Sequence, residues 1–265
     1  MDWFQALVLA IIQGLTEFLP VSSSGHLVLP AVLLGWRDQG LAFDVAIHMG
    51  TLAAVLWYFR ADLQRLVGAW LGSLQGRHSD DSRLAWWIGF ATVPAGLAGL
   101  LFHREIEEHL RSIEVLATTT LVFGLLLGLA DWTGRRNRDL AQMTLLAALL
   151  IGLAQMLSLI PGVSRSGITL TAALMLGFNR VAAARFSFLM SIPIILAAGL
   201  LQGLELTRGQ FHFEWSQLVV ATLVSGVTGY LCIHWFLQAL ARVGMWPFVI
   251  YRLLLGGVLV AVAIR

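Results

Sequence analysis

Lysine is absent from this 265-residue chain, and all 17 of its basic residues are arginine. Charge of either sign is scarce, at 12% of residues, and a net charge of +2 offers no basic patch on which to seat a nucleic acid. A single cysteine, Cys232, excludes an internal disulfide and a thiolate metal cluster. No positively charged segment precedes the first apolar stretch, which argues against a cleaved signal peptide. What remains is overwhelmingly apolar. At 58% hydrophobic residues and a mean hydropathy of +0.81, the composition excludes a soluble domain and describes an integral membrane protein.

A helix needs about 20 apolar residues to cross a bilayer. Six stretches qualify: Phe43–Phe59, Leu84–Phe102, Ile113–Ala130, Phe186–Gly203, Ser216–Leu240 and Pro247–Ile264. Two further apolar regions, Trp3–Gly35 and Leu140–Gly177, are broken in the middle, at Pro20–Gly25 and Pro161–Gly167. Proline removes a backbone donor and glycine permits tight turning, so each region reads as two half-length helices joined by a polar loop. The expected fold is all-α: six full transmembrane helices plus two re-entrant helix-loop-helix hairpins.

The two broken regions echo one another. Leu19–Pro20–Val21–Ser22–Ser23–Ser24–Gly25 aligns with Ile160–Pro161–Gly162–Val163–Ser164–Arg165–Ser166–Gly167, allowing one inserted glycine. Further on, Leu33–Leu34–Gly35–Trp36 matches Met175–Leu176–Gly177–Phe178. Three spans separate the hairpins and three follow the second, so the copies have opposite sense in the membrane. The chain is expected to form one polytopic domain, residues 1–265, built as an inverted-topology repeat of about 1–130 and 140–265. With the N-terminus outside, ten arginines fall in cytoplasmic segments (60, 65, 77, 83, 135, 136, 138, 180, 185 and 242) against four outside (Arg37, Arg104, Arg111 and Arg208). That bias obeys the positive-inside rule. The segment Arg60–Arg83 mixes apolar and charged residues and is expected along the cytoplasmic interface, while Gly134–Asp139 reads as an ordinary loop.

Between Trp3 and Trp36 the one full charge is Glu17; between Leu140 and Phe178 it is Arg165. Charges at this depth are expensive and need partners. A structural ion pair between them is one reading, but it leaves the hydroxyls around them without a task. Ser22–Ser23–Ser24–Gly25 and Ser164–Arg165–Ser166–Gly167 each precede a second half-helix, and helix N-termini present free N–H groups and partial positive charge. Brought together, the loops make a phosphate site from Ser22, Ser24, Gly25, Ser164, Ser166 and Gly167, with Arg165 as a bidentate ligand. Simple N-capping is the plainer reading of either loop alone. Gln13 and Glu17, four residues apart on one helix face, can together offer oxygens to a hard cation such as Mg²⁺ or Ca²⁺, provided substrate and water complete its shell. His26 opens the next half-helix, where an imidazole serves either as acid–base group or as interhelical glue. Asp44 and His48 share a face near the outer end of a span, suited equally to the edge of the site and to the membrane interface.

The combination of Gln13–Glu17, Pro20–Val21–Ser22–Ser23–Ser24–Gly25–His26 and Pro161–Gly162–Val163–Ser164–Arg165–Ser166–Gly167 resembles the two signatures of the undecaprenyl-diphosphate phosphatase, or bacitracin-resistance, family. The likeness runs on through Phe43–Asp44–Val45 to Gly50 and through Arg185–Phe186–Ser187–Phe188 to Pro193. Position 13 departs from many members in holding Gln rather than Glu, which weakens it as a base or strong metal ligand. The resemblance implies a multi-pass enzyme of the bacterial cytoplasmic membrane that hydrolyses undecaprenyl diphosphate to undecaprenyl phosphate and inorganic phosphate, with its site facing outward. That activity recycles the lipid carrier of cell-wall synthesis and gives bacitracin resistance. The resemblance also implies a divalent cation, and Glu17, Ser23, His26 and Arg165 as essential residues. The expected partners are a polyprenyl diphosphate lipid and the bilayer, with no nucleic acid and a homodimer among the assemblies left open. Two mechanisms stand: attack by Ser23, with Glu17 or His26 taking its proton, or attack by water activated at Glu17.

Rival readings are weaker. A transporter or flippase shares inverted repeats and broken helices. An intramembrane serine protease leaves Arg165 and the duplicated loop without a task. The acid-phosphatase-like lipid phosphatases need a lysine, and this chain has none.

Overall fold

A computed structural model describes residues 2–36, 39–110, 112–208 and 214–264, leaving aside the side chains of 103–104, 107–108 and 207–208. The four arginines assigned outside the membrane therefore lie outside the described side chains. The described chain is helical, without a β-strand: α1 (Trp3–Thr16), α2 (Ser23–Leu34), α3 (Leu41–Tyr58), α4 (Arg60–Ser73), α5 (Asp80–His109), α6 (Ile113–Thr133), α7 (Leu145–Met156), α8 (Arg165–Met175), α9 (Arg180–Arg208), α10 (Trp215–Val243) and α11 (Trp246–Ala263). Local chemistry sets several boundaries. Asp2 caps α1 in a reciprocal box with Gln5, and Ser79 does the same for α5 with Ser82.

Six helices are long and apolar enough to cross a membrane, over Leu41–Tyr58, Asp80–Phe102, Ile113–Thr133, Arg180–Leu206, Trp215–Val243 and Trp246–Ala263. They match the six expected spans. Their outward faces carry side chains that water would not tolerate in such number, among them Leu100, Leu101, Leu125, Leu223 and Leu254. The shorter apolar helices α1, α2 and α7, and the 11-residue α8, are each too short to span.

Helix α3 packs on α10, α6 on α11, α1 on α10 and α7 on α5. Polar side chains tie these contacts at depth, as where Ser225 Oγ donates to the Ile47 carbonyl at 2.8 Å. Phe18, Phe59, Phe188 and Phe236 form a buried aromatic cluster centred on Phe188, with ring centroids 5.4, 6.4 and 5.8 Å from it. Phe18 follows Glu17 directly, so this cluster is the dry floor beneath the polar loops. Helix α4 buries Leu66, sets Trp70 against Trp86 of α5, and turns Asp62 to Arg185 of α9 at 2.8 Å while Arg60 and Arg65 stay exposed.

The 134–139 segment is more than a loose loop. Arg138 donates its N–H to the Gly177 carbonyl at 3.0 Å and accepts from the N–H of Asn179 at 2.8 Å. Beside it, the fully buried Asp131 takes two bonds from Arg180, at 2.6 and 2.8 Å, and one from the N–H of Met245 at 3.3 Å. Three helix ends are clamped at that one carboxylate.

Candidate active site

The first break begins earlier than proline and glycine suggest. Helix α1 stops at Thr16, Glu17 is its C-cap, and the chain turns through Phe18–Val21 to Ser22, at φ 73° and ψ 93°. Helix α2 then starts at Ser23, so Ser23, Ser24, Gly25 and His26 form its first turn instead of preceding it. A run of serines reads as loop by composition, yet serine also suits the first turn of a helix. The second break repeats the device. Ser164 sits at φ 69° and ψ 116°, its Oγ accepts from the N–H of Gly167 at 3.1 Å, and α8 begins at Arg165. Upstream, Gly162 at φ +90° lies so close to α6 that a Cβ would stand 2.6 Å from the Leu116 carbonyl oxygen. Thr119 Oγ1 donates to the Pro161 carbonyl at 2.6 Å and holds that turn down.

The two turns meet. Ser166 Oγ donates to the Leu19 carbonyl at 2.8 Å, and Arg165 Nη2 donates to Glu17 Oε1 at 3.1 Å. The other oxygen of Glu17 accepts from Ser23 Oγ at 3.0 Å and from Gln13 Nε2 at 2.9 Å, with His48 Nε2 at 3.8 Å. Arg165 also donates to the Ser187 carbonyl at 3.3 Å, and a guanidinium has more N–H groups than these two bonds use. Glu17 is thus a buried hub joining the hydroxyl of one loop to the cation of the other. His48, weighed from the sequence as an edge residue, does lie at its edge. Asp44 instead accepts from Gln39 at 2.9 Å.

The remaining candidates divide by commitment. Ser22 and Ser24 pair hydroxyl to hydroxyl at 3.1 Å with Ser24 exposed, and Ser164 and Ser166 pair at 3.2 Å, both buried. Gly25 and Gly167 are buried in the first turns of α2 and α8. His26 does not bond to Ser23. Its Nδ1 lies 2.7 Å from the Ser22 carbonyl oxygen and its Nε2 2.6 Å from the Tyr251 hydroxyl.

Two residues of the last helix, Tyr251 and Arg252, were not anticipated. Arg252 has no exposed surface and no carboxylate within ion-pairing distance among the described residues. It spends its donors on carbonyls instead: Gly162 at 2.8 Å, Val163 at 3.0 Å, Thr120 at 3.2 Å, and Pro20 and Thr119 at 3.4 Å. One guanidinium therefore holds both loops and α6. The signal was available, since an arginine inside a span demands partners; nothing in the sequence says that the partners are backbone oxygens.

For a cation the protein offers little on its own. Among the described residues no three of His, Cys, Asp and Glu gather as a ligand group. Gln13 Oε1, however, is buried without a partner beside Glu17. One amide oxygen and one carboxylate fit a cation whose shell is completed by phosphate oxygens and water.

Residues 6–258, which take in every side chain of this constellation, match the model of the bacitracin resistance protein BacA. The chain belongs to the BacA family. Its curated relatives include the undecaprenyl-diphosphatase of Saccharophagus degradans, 59% identical over 98% of both chains. Those of Thioalkalivibrio sulfidiphilus and Hahella chejuensis are each 57% identical, over 98% of both chains and over 97% of this chain and 96% of the relative, respectively.

Proposed function

We propose that this protein is an undecaprenyl-diphosphatase that removes the terminal phosphate of its lipid substrate at the junction of the two loops. The observation that carries the reading is the line Ser23–Glu17–Arg165, in which a hydroxyl, a carboxylate and a guanidinium from opposite halves of the chain touch in sequence. Such a line suits phosphoryl transfer. Ser23 Oγ attacks the terminal phosphorus and its proton passes to Glu17 Oε2; the bridging P–O bond breaks and undecaprenyl phosphate leaves. Protonating Glu17 weakens its hold on Arg165 as negative charge builds on the phosphoryl oxygens, so the guanidinium can turn to them. Water then cleaves the phosphoserine, and Glu17 returns the proton to Ser23. Because His26 makes no bond to Ser23, Glu17 is the favoured base for the first step.

The N-terminal turns of α2 and α8 supply further N–H donors, with Ser22, Ser24, Gly25, Ser164, Ser166 and Gly167 shaping them. Gln13 and Glu17 are the residues that would hold Mg²⁺ or Ca²⁺, which when bound neutralises phosphate charge. Helices α1–α2 and α7–α8 are read as re-entrant hairpins in an inverted repeat. Two observations support this: α1 lies on α10 as α7 lies on α5, and Ser22 and Ser164 share one unusual backbone conformation. With the arginine bias, the arrangement opens the site to the outer side of the cytoplasmic membrane.

The test is trapping of labelled phosphate on purified enzyme given undecaprenyl diphosphate. Label on Ser23 and its loss in Ser23→Ala are expected; a Ser23→Ala enzyme with most of its activity removes the nucleophile and leaves direct attack by water.

A further inference from the structure

His26 stands apart from Ser23, yet both of its nitrogens are engaged. The Ser22 carbonyl can only accept, so Nδ1 carries a hydrogen. In the neutral ring the lone pair is then on Nε2, and what it meets is the hydroxyl of Tyr251 at 2.6 Å. The two ring planes are nearly parallel, 6° apart, with centroids 5.5 Å from each other. Tyr251 is 45% exposed while His26 is buried, so the phenol covers the open side of the imidazole. Among the described residues no carboxylate bonds to the ring. The charged group facing it from α11 is Arg252, Glu17 at the end of α1 is turned to Arg165 and Ser23, and Glu114 of α6 is exposed.

We infer that Tyr251 serves the reaction at Nε2 of His26, the nitrogen that the Ser22 carbonyl leaves free to accept a proton, by donating to its lone pair and relaying the proton it takes. The inference rests on the hydrolase reading above. A hydroxyl is suited to this because it can donate to a neutral Nε2 and accept from a protonated one, so the bond survives the whole cycle. In the second step water attacks the phosphoserine phosphorus, the new O–P bond forms and the Ser23 Oγ–P bond breaks. The proton lost by water goes to the Tyr251 oxygen as the phenol passes its own to His26 Nε2; the imidazolium later returns it by the reverse route to the departing phosphate. Glu17 restores the Ser23 proton, and tyrosine ends as it began.

The experiment uses the full-length enzyme in detergent, with phosphate release from undecaprenyl diphosphate followed between about pH 5 and 9 for wild type, Tyr251→Phe, His26→Gln and the double variant. Phenylalanine keeps the ring and its packing. Tyr251→Phe is expected to lower kcat by about tenfold or more with KM changed by less than about twofold, and to shift the acidic limb of the profile. On the His26→Gln background it should add nothing, since the hydroxyl acts through the imidazole. Multiplying losses, or a Tyr251→Phe enzyme with the wild-type profile, overturn the inference. Side-chain ¹⁵N spectra of the histidines provide a second reading that needs no turnover, with His26→Gln giving the assignment. A His26 in the Nδ1–H form whose Nε2 resonance carries a hydrogen-bond shift in wild type and loses that shift in Tyr251→Phe supports the pairing; an Nε2–H form, or an Nε2 resonance unchanged in Tyr251→Phe, overturns it. Wild-type enzyme that releases no phosphate would sink the hydrolase reading alone, leaving the spectra to decide the pairing.

Discussion

Ser22 and Ser164 occupy the same strained place in the two turns, at φ 73° and 69°, in a region L-residues rarely enter. Each immediately precedes a helix, Ser22 preceding α2 and Ser164 preceding α8. Such strain costs about 1–3 kcal/mol and persists only where its surroundings enforce it. At Ser22 the side chain caps nothing, whereas at Ser164 it caps Gly167.

The difference makes the first prediction. Ser22→Gly should raise thermal stability by about 1 kcal/mol by relieving the strain. It should also slow turnover, because the turn that aims α2 becomes pliable. Ser164→Gly should gain nothing, since relief is offset by the lost cap, about 1 kcal/mol. Melting curves in detergent beside phosphate release check both; a Ser22→Gly protein less stable than wild type would show that the conformation is not strained.

The contact of Glu17 with Arg165 has a plain structural reading, an ion pair that holds the loops together. Exchanging the two charges separates that from a catalytic one. Glu17→Arg combined with Arg165→Glu should restore much of the folded yield lost in either single variant, since a buried charge left alone costs about 3–5 kcal/mol. Activity should stay at least about 1000-fold down, because the carboxylate no longer stands beside Ser23 nor the guanidinium where the phosphoryl charge develops. Turnover regained by the exchange would make the pair structural.

Much of this was legible in the chain itself. Six spans follow from hydropathy, and two lone charges in two broken apolar regions point to one another because neither is tolerable alone. The placement of the serines was misread by a few residues, since the same composition suits a loop and the first turn of a helix. Tyr251 and Arg252 differ in this respect. An arginine inside a span calls for partners, whereas a tyrosine there does not stand out, and the partners of both, His26, Pro20 and Val163, lie far upstream with no periodicity linking them. Asp131 and Arg180 likewise read as charges flanking cytoplasmic loops, and only the packing of α6, α9 and α11 turns them inward.

Those last two groups allow one contrast. Arg252→Met leaves the carbonyls of Pro20, Gly162 and Val163 without their donor, so stability should fall by about 3 kcal/mol or more, and the surviving folded protein should be slow because both loops are released. Arg252→Lys should recover only part of each loss, as an ammonium cannot span the same oxygens. Asp131→Asn breaks a pair that is equally buried and leaves Arg180 without its counter-charge, a cost of about 3–5 kcal/mol. Yet Arg180 lies two turns, about 10 Å, along α9 from Ser187, which accepts from Arg165. The folded fraction of Asp131→Asn should therefore keep wild-type kcat and KM. Measuring turnover per folded molecule distinguishes the two: if Arg252→Met behaves like Asp131→Asn, losing protein but not rate, Arg252 serves the fold and not the loops.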